Sequence, residues 1–192
     1  MLSPREQSRP CRNRSMFWLN PPLVVYHGTY DEAAAAMMRK GSRYSHSVDV
    51  GVGRPNCDFG PGFYVTTDLG QAREWANIKT RRLRASRMST LHPLVAVVVR
   101  FEIDRTALSE LDSLVFQNDG EVFGFWPFVE DCRAGRIRAH GREKPYDVVY
   151  GPVTAWPQRS ILPDRSQISF HTERGSSVLG SPDRACVGRP FL

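Results

Sequence analysis

The sequence predicts an α+β fold, and three observations carry that prediction. Short β-type runs outnumber the stretches with helical periodicity. The strongest run, residues 94–103 (LVAVVVRFEI), is apolar on both faces where it begins, which places it at the centre of a sheet. Helical stretches do not alternate one for one with strands, as a doubly wound parallel sheet requires. A chain of 192 residues that is 41% hydrophobic and 24% charged can bury one real core, so a single domain is expected.

Residues 1–20 are polar, Arg-rich and aperiodic until Met16, Phe17 and Trp18, and are expected to form a disordered arm. The run Leu23-Val24-Val25-Tyr26 is a strand ending at His27-Gly28-Thr29. Asp31 suits the N-cap of a helix over 32–40, which Gly41 stops. Residues 41–62 hold five glycines and two prolines and read as a long loop, of the length that usually carries function. Phe63-Tyr64-Val65-Thr66 is the next strand. Asp68 then caps a helix through Gln71, Ala72, Glu74 and Trp75 that extends towards the basic stretch 79–87. Residues 122–133 set aromatics at helical spacing and predict a core helix. Residues 146–150 (YDVVY) and 167–172 (QISFHT) are further strands, with a proline-punctuated loop at 154–166 between them. The folded unit is expected over 21–177, followed by a loose Gly-, Ser- and Pro-rich tail at 178–192.

Several function classes lack their sequence signals. No apolar run approaches the ~20 residues that span a bilayer, and the first residues hold no apolar h-region. Cys11, Cys57, Cys132 and Cys186 are scattered without a CxxC pair, which argues against zinc and for free thiols in a reducing, cytoplasmic compartment. GxSxG and Walker loops are absent, and Gly51-Val52-Gly53 lacks the helix that a Rossmann turn needs. The formal net charge of +6 suits a polyanionic partner, a dinucleotide included, without naming one. The run 79–87 carries five positive charges and no acid, and a solvated helix end is its commoner meaning.

Singly, the remaining signals are bland: a lone His27 is more often structural than catalytic, and Gly60-Pro61-Gly62 makes a turn before a strand. Together, Tyr26-His27-Gly28-Thr29, then residues 58–67 (DFGPGFYVTT) followed by a helix, and later 167–172 (QISFHT), form a pattern. It resembles the ADP-ribosyltransferase superfamily in its diphtheria-toxin and poly-ADP-ribose-polymerase branch, most closely a bacterial group of ADP-ribosyltransferase-like domains. The likeness spans about residues 24–174.

The resemblance implies a split β-sheet core and NAD⁺ as a substrate, with no metal. His27 would bond an adenosine-side ribose hydroxyl, and the Gly28 backbone would pair with the nicotinamide carboxamide. Thr29 would add a hydroxyl nearby, and Tyr64 would stack on the nicotinamide ring. Gln167 would hold the nicotinamide-side ribose where relatives usually have glutamate. His27, Tyr64 and Gln167 are thus the expected catalytic set. An amide can accept the same hydroxyl bond, but it brings no negative charge to an oxocarbenium-like ribose and no general base. Glu173 cannot substitute, since six residues of strand place it ~20 Å away. Arg159, Asp164 and Arg165 are candidate acceptor-reading residues, with a solvated loop as an equal alternative.

The implied activity is transfer of ADP-ribose to a macromolecule, protein or nucleic acid, with nicotinamide released. A toxin or effector delivered to a target cell, with a cognate antitoxin or immunity partner, fits by analogy. NAD⁺ hydrolysis and non-catalytic binding of NAD⁺ or ADP-ribose are the alternatives.

Overall fold

The computed structural model describes residues 20–39, 48–86, 94–117, 124–136, 139–188 and 190–191. The described residues form a mixed α+β fold of two sheets and five α-helices. The first sheet joins β1 (Leu23–Tyr30), β3 (Ala96–Ile103) and β7 (Asp183–Gly188) in the order β1-β3-β7, all antiparallel. The second joins β2 (Phe63–Val65), β6 (Ser160–Phe170), β5 (Val148–Ala155) and β4 (Ser113–Val115) in the order β2-β6-β5-β4.

The alternation of side chains builds four layers. Val25 on β1 and Val97, Val99, Phe101 and Ile103 on β3 face Phe63, Val65, Ile168 and Phe170 of the second sheet, forming the core between the sheets. On the outer face of the first sheet, Ala96 and Val98 meet Ala72 and Ala76 of α2 (Leu69–Ala85). On the outer face of the second, Val149 meets Phe125 and Val129 of α4 (Phe125–Ala134), with Phe59 and Phe116. β3 is apolar on both faces because it packs against a sheet on one side and a helix on the other. Its central position matches its sequence.

Several local expectations change. Asp31 begins α1 (Asp31–Met38) instead of capping it. Its backbone N–H donates to the Val95 carbonyl at 3.0 Å, and its carboxylate accepts from the Val95 N–H at 3.2 Å, which ties the helix start to the entry of β3. Asp68 does cap α2, its Oδ1 accepting from the Gln71 N–H at 2.7 Å. The proposed loop at 154–166 is the tip of a β5–β6 hairpin, with residues 156–159 as its turn. Proline is tolerated there because residues 160–166 of β6 pair with β5 alone, leaving a free edge, and because the register breaks between Pro152 and Thr154. The expected loose tail at 178–192 is also corrected: Asp183–Gly188 zip onto β3 as β7. None of its residues is fully buried, so no apolar alternation marks this edge strand within a Gly- and Ser-rich context.

β4 runs parallel to β5 and follows the short α3 (Arg105–Ser109), which Asp104 caps. α5 (Glu173–Ser177) starts directly after β6, capped by the Thr172 hydroxyl, so Glu173 belongs to a helix. The expected arm at 1–20 lies almost wholly outside the described residues, as does Lys40. Among the described residues, no helix is long and apolar enough to cross a membrane.

Candidate functional site

Among the described residues one backbone bridge ties the edge of the first sheet to the second. Tyr26 on β1 exchanges both backbone hydrogen bonds with Thr66 just beyond β2, at 2.7 and 3.0 Å. Beyond that bridge no further backbone bond joins β1 to β2 among the described residues, and His27, Gly28 and Thr29 follow at once on β1. Because Tyr26 turns its N–H and C=O away from β3, strand alternation turns those of Gly28 the same way. Among the described residues no backbone group meets them. On its other side Gly28 lies under α2, where an added methyl would overlap the Ala72 carbonyl oxygen and stand 2.7 Å from the Ala76 amide nitrogen. The absent side chain thus has a packing reason independent of any ligand. Thr29 is buried in the same strand.

The His27 side chain links β1 to β2. Its Nδ1 lies 2.6 Å from the Tyr64 carbonyl oxygen, its ring stacks on Phe63 at 4.4 Å, and its Nε2 lies 3.0 Å from Lys79 Nζ. A carbonyl can only accept and an ammonium can only donate, so Nδ1 carries the hydrogen and Nε2 offers its lone pair. Burial, and then the Lys79 charge, hold the His27 pKa well below the ordinary histidine value, in keeping with that neutral form. Lys79 has its own pKa lowered to about 8, by desolvation first and by the Arg54 charge second. Among the described residues no carboxylate pairs with it. The reading of 79–87 as a solvated helix end therefore fails at its first residue. Lys79 adjoins the buried Ala72-Ala76-Thr80 stripe of α2, and that adjacency is the signal in the sequence.

Gln71, Trp75 and Lys79 recur at i, i+4 and i+8 and share one side of α2. Gln71 donates to the Ser166 carbonyl at 2.9 Å, next to Gln167, while Lys79 reaches His27. Trp75 lies between them and is 36% exposed, an unusual position for a ring that size.

The segment Asp58-Phe59-Gly60 joins the other two expected residues. The Tyr64 hydroxyl donates to the Gly60 carbonyl at 2.6 Å and accepts from the Phe59 N–H at 3.1 Å. Burial holds its phenol well above the usual tyrosine range, with the Cys57 charge adding to the effect. Tyr64 therefore offers a ring and a carbonyl, not a free hydroxyl. Gln167 touches neither His27 nor Tyr64; its Nε2 donates to Asp58 Oδ2 at 2.7 Å and to the Pro152 carbonyl at 3.0 Å. Asp58, 4% exposed, also receives Arg133 and Thr154. The sequence marks Asp58 only as part of the Gly-x-Gly motif, and Arg133 and Thr154 not at all. Their meeting depends on three separate elements.

The candidate acceptor-reading arginines are already paired: Arg159 with Glu130 at 2.8 Å, and Arg165 with Glu74 at 2.5 and 3.1 Å. His171 is structural. It lies 2.7 Å from the Pro61 carbonyl oxygen and 2.8 Å from Ser169 Oγ, and burial, then His140, lower its pKa to about 4.

The chain belongs to the DUF3990 family. That family is described as "Protein of unknown function (DUF3990)", and its model matches residues 23–157. The DUF3990 match takes in His27, Gly28, Thr29, Asp58, Tyr64, Lys79 and Arg133, and stops in the turn of the β5–β6 hairpin, before Gln167. No curated protein matches the chain.

Proposed function

We propose that this DUF3990 protein is an ADP-ribosyltransferase that takes NAD⁺ as substrate, releases nicotinamide and moves ADP-ribose to a protein or nucleic-acid acceptor. One observation carries the reading: the backbone N–H and C=O of Gly28 are turned away from β3 and meet no backbone partner among the described residues, next in the strand to neutral His27. A carboxamide needs one donor and one acceptor side by side, which the Gly28 backbone offers; on this reading Tyr64 or Trp75 would supply the aromatic face that a flat ring needs. The motif resemblance adds the expectation that His27 and Gln167 bind the two ribose hydroxyl sets. The half-buried ammonium of Lys79, free of any acidic partner among the described residues, suits the negative charge of a dinucleotide.

In such a reaction the glycosidic bond breaks ahead of full attack, and the site holds the departing ring and the cationic ribose while excluding stray water. A role as a toxin or effector, restrained by an antitoxin or immunity partner, follows from analogy with similar enzymes. The test is incubation of the purified protein with adenylate-labelled NAD⁺ and cell lysate, before and after protease or nuclease. Label in protease- or nuclease-sensitive material establishes transfer and names the acceptor class. Nicotinamide released without macromolecular label replaces transfer with hydrolysis. Binding of NAD⁺ with neither signal leaves a binding module and overturns the enzyme.

Lys79 adds a pH dependence. Its ammonium is charged below about 8 and neutral above, so NAD⁺ affinity, measured by calorimetry, should weaken as pH rises from 7 to 9.5. Lys79→Met should bind roughly tenfold more weakly at pH 7 and show no such slope. A wild-type affinity flat across that range overturns the role of Lys79.

A further inference from the structure

Among the described residues no carboxylate meets His27 or Lys79, yet one is buried against Gln167. Asp58 has donors on both oxygens. Oδ1 takes Arg133 Nε at 2.7 Å and Nη2 at 2.5 Å, together with the Thr154 hydroxyl at 2.6 Å. Oδ2 takes the Thr154 N–H at 3.1 Å and Gln167 Nε2 at 2.7 Å. The same Gln167 nitrogen meets the Pro152 carbonyl at 3.0 Å. Both of its partners are acceptors, and turning the amide over would set Oε1 against two oxygens. The amide therefore has one allowed orientation. Its Oε1 makes no hydrogen bond among the described residues and can only accept.

We infer that Asp58 is the positioning residue of Gln167, holding the amide so that Oε1 is presented as a fixed acceptor to a hydroxyl of the bound sugar. The inference rests on the NAD⁺ reading for the identity of that sugar, and on the Asp58–Gln167–Pro152 geometry for the rest. Donation from the amide N–H to a carboxylate also pushes electron density towards Oε1, making it a stronger acceptor than a free glutamine. The glutamine is then not a weakened glutamate. It is the residue that this surrounding requires, since a second carboxylate would lie against Asp58 and a carbonyl.

The decisive variant is Gln167→Glu in the full chain, with NAD⁺ turnover and thermal midpoint measured from pH 5 to 8. The charged groups around position 167 are Asp58 and Arg133, which already neutralise each other, with the titratable Cys57 beside Asp58 in the loop and Tyr64 on the neighbouring β2. A glutamate against two acceptors keeps its proton, and in that form it copies the glutamine: its O–H donates to Asp58 and its carbonyl is left as the free acceptor. Its folded pKa is raised, so its stabilising fit is present in acid and lost as pH rises from about 4.3 through that raised value. The turnover of Gln167→Glu relative to wild type should be near parity at pH 5 and at least tenfold lower at pH 8, with the thermal midpoint falling in parallel. A ratio that is flat or rises with pH overturns the inference.

Asp58→Asn gives a second reading. Loss of the orienting carboxylate should lower kcat about tenfold and leave KM within about threefold, because Oε1 acts on the sugar as charge develops. Equal loss in both, or none, overturns the positioning role. Should wild type not turn over NAD⁺ while the thermal midpoint of Gln167→Glu still falls with pH, the NAD⁺ reading fails and the sugar with it. The orientation of the amide by Asp58 then stands.

Discussion

Gly28→Ala is expected to cost the fold about 3 kcal/mol or more, a large share of the ~5–15 kcal/mol that holds a domain of this size together. The added methyl would enter the Ala72 carbonyl and crowd the Ala76 nitrogen, and both are backbone atoms of a long helix. A flexible side chain could swing aside, but a helix backbone has to move as a body. α2 would lift from β1, and Ala72 and Ala76 would lose their contact with the outer face of the first sheet. Urea unfolding followed by circular dichroism should show a midpoint lowered by 1 M or more, or no cooperative transition. A midpoint within error of wild type would mean that α2 does not sit as closely on β1 as described. Lifting the helix would also draw Trp75 and Lys79 away from β1, so any NAD⁺ affinity should fall with the stability.

His27→Ala should lower NAD⁺ turnover at least 100-fold, and a companion variant separates chemistry from packing. The substitution removes the bond to the Tyr64 carbonyl and the stack on Phe63, and it leaves the Lys79 ammonium without its acceptor. A desolvated cation deprived of its partner costs about 1–3 kcal/mol. Adding Lys79→Met removes the stranded charge and should return part of that stability. Turnover should not return, because the NAD⁺ reading has a substrate hydroxyl take over the His27 Nε2 lone pair that Lys79 holds in the free protein. Recovery of turnover in the double variant would reduce His27 to a structural spacer.

The sequence made the sheets legible where packing is strongest. Residues 94–103 carry apolar side chains on both faces because both faces are buried, and their central place could be read directly. Asp68 could be read as a cap because capping is local. Position 31 misled for the opposite reason: its carboxylate serves Val95, which is 64 residues away in the chain, and no local pattern reports that. The β5–β6 tip was hidden by prolines that a free edge tolerates, and β7 by a composition suited to loops.

The candidate site divides in the same way. His27, Gly28 and Tyr64 stood out because contiguous motifs carry them. Asp58, Arg133, Thr154 and Gln167 come from a loop, a helix and two strands, and only the fold brings them within hydrogen-bonding reach. Lys79 was obscured by its neighbours, a run of solvated arginines beside which one inward lysine does not stand out.

The pairing of β1 with β3 and of β2 with β6 has a consequence for the nascent chain. β1 is made before its partner, which begins at Ala96, and before the strand carrying Gln167, which begins at Ser160. At about 5–20 residues per second, the roughly 65 residues between Tyr30 and Ala96 take about 3–13 s to emerge, and the second sheet waits longer still. Such non-local pairings make for slow folding and for apolar strands held open meanwhile, which is the interval in which holdase chaperones act. Synthesis therefore imposes its own timing: the junction of the two sheets closes only after the stretch through Phe170 has left the ribosome, and whatever chemistry resides there stays silent until then.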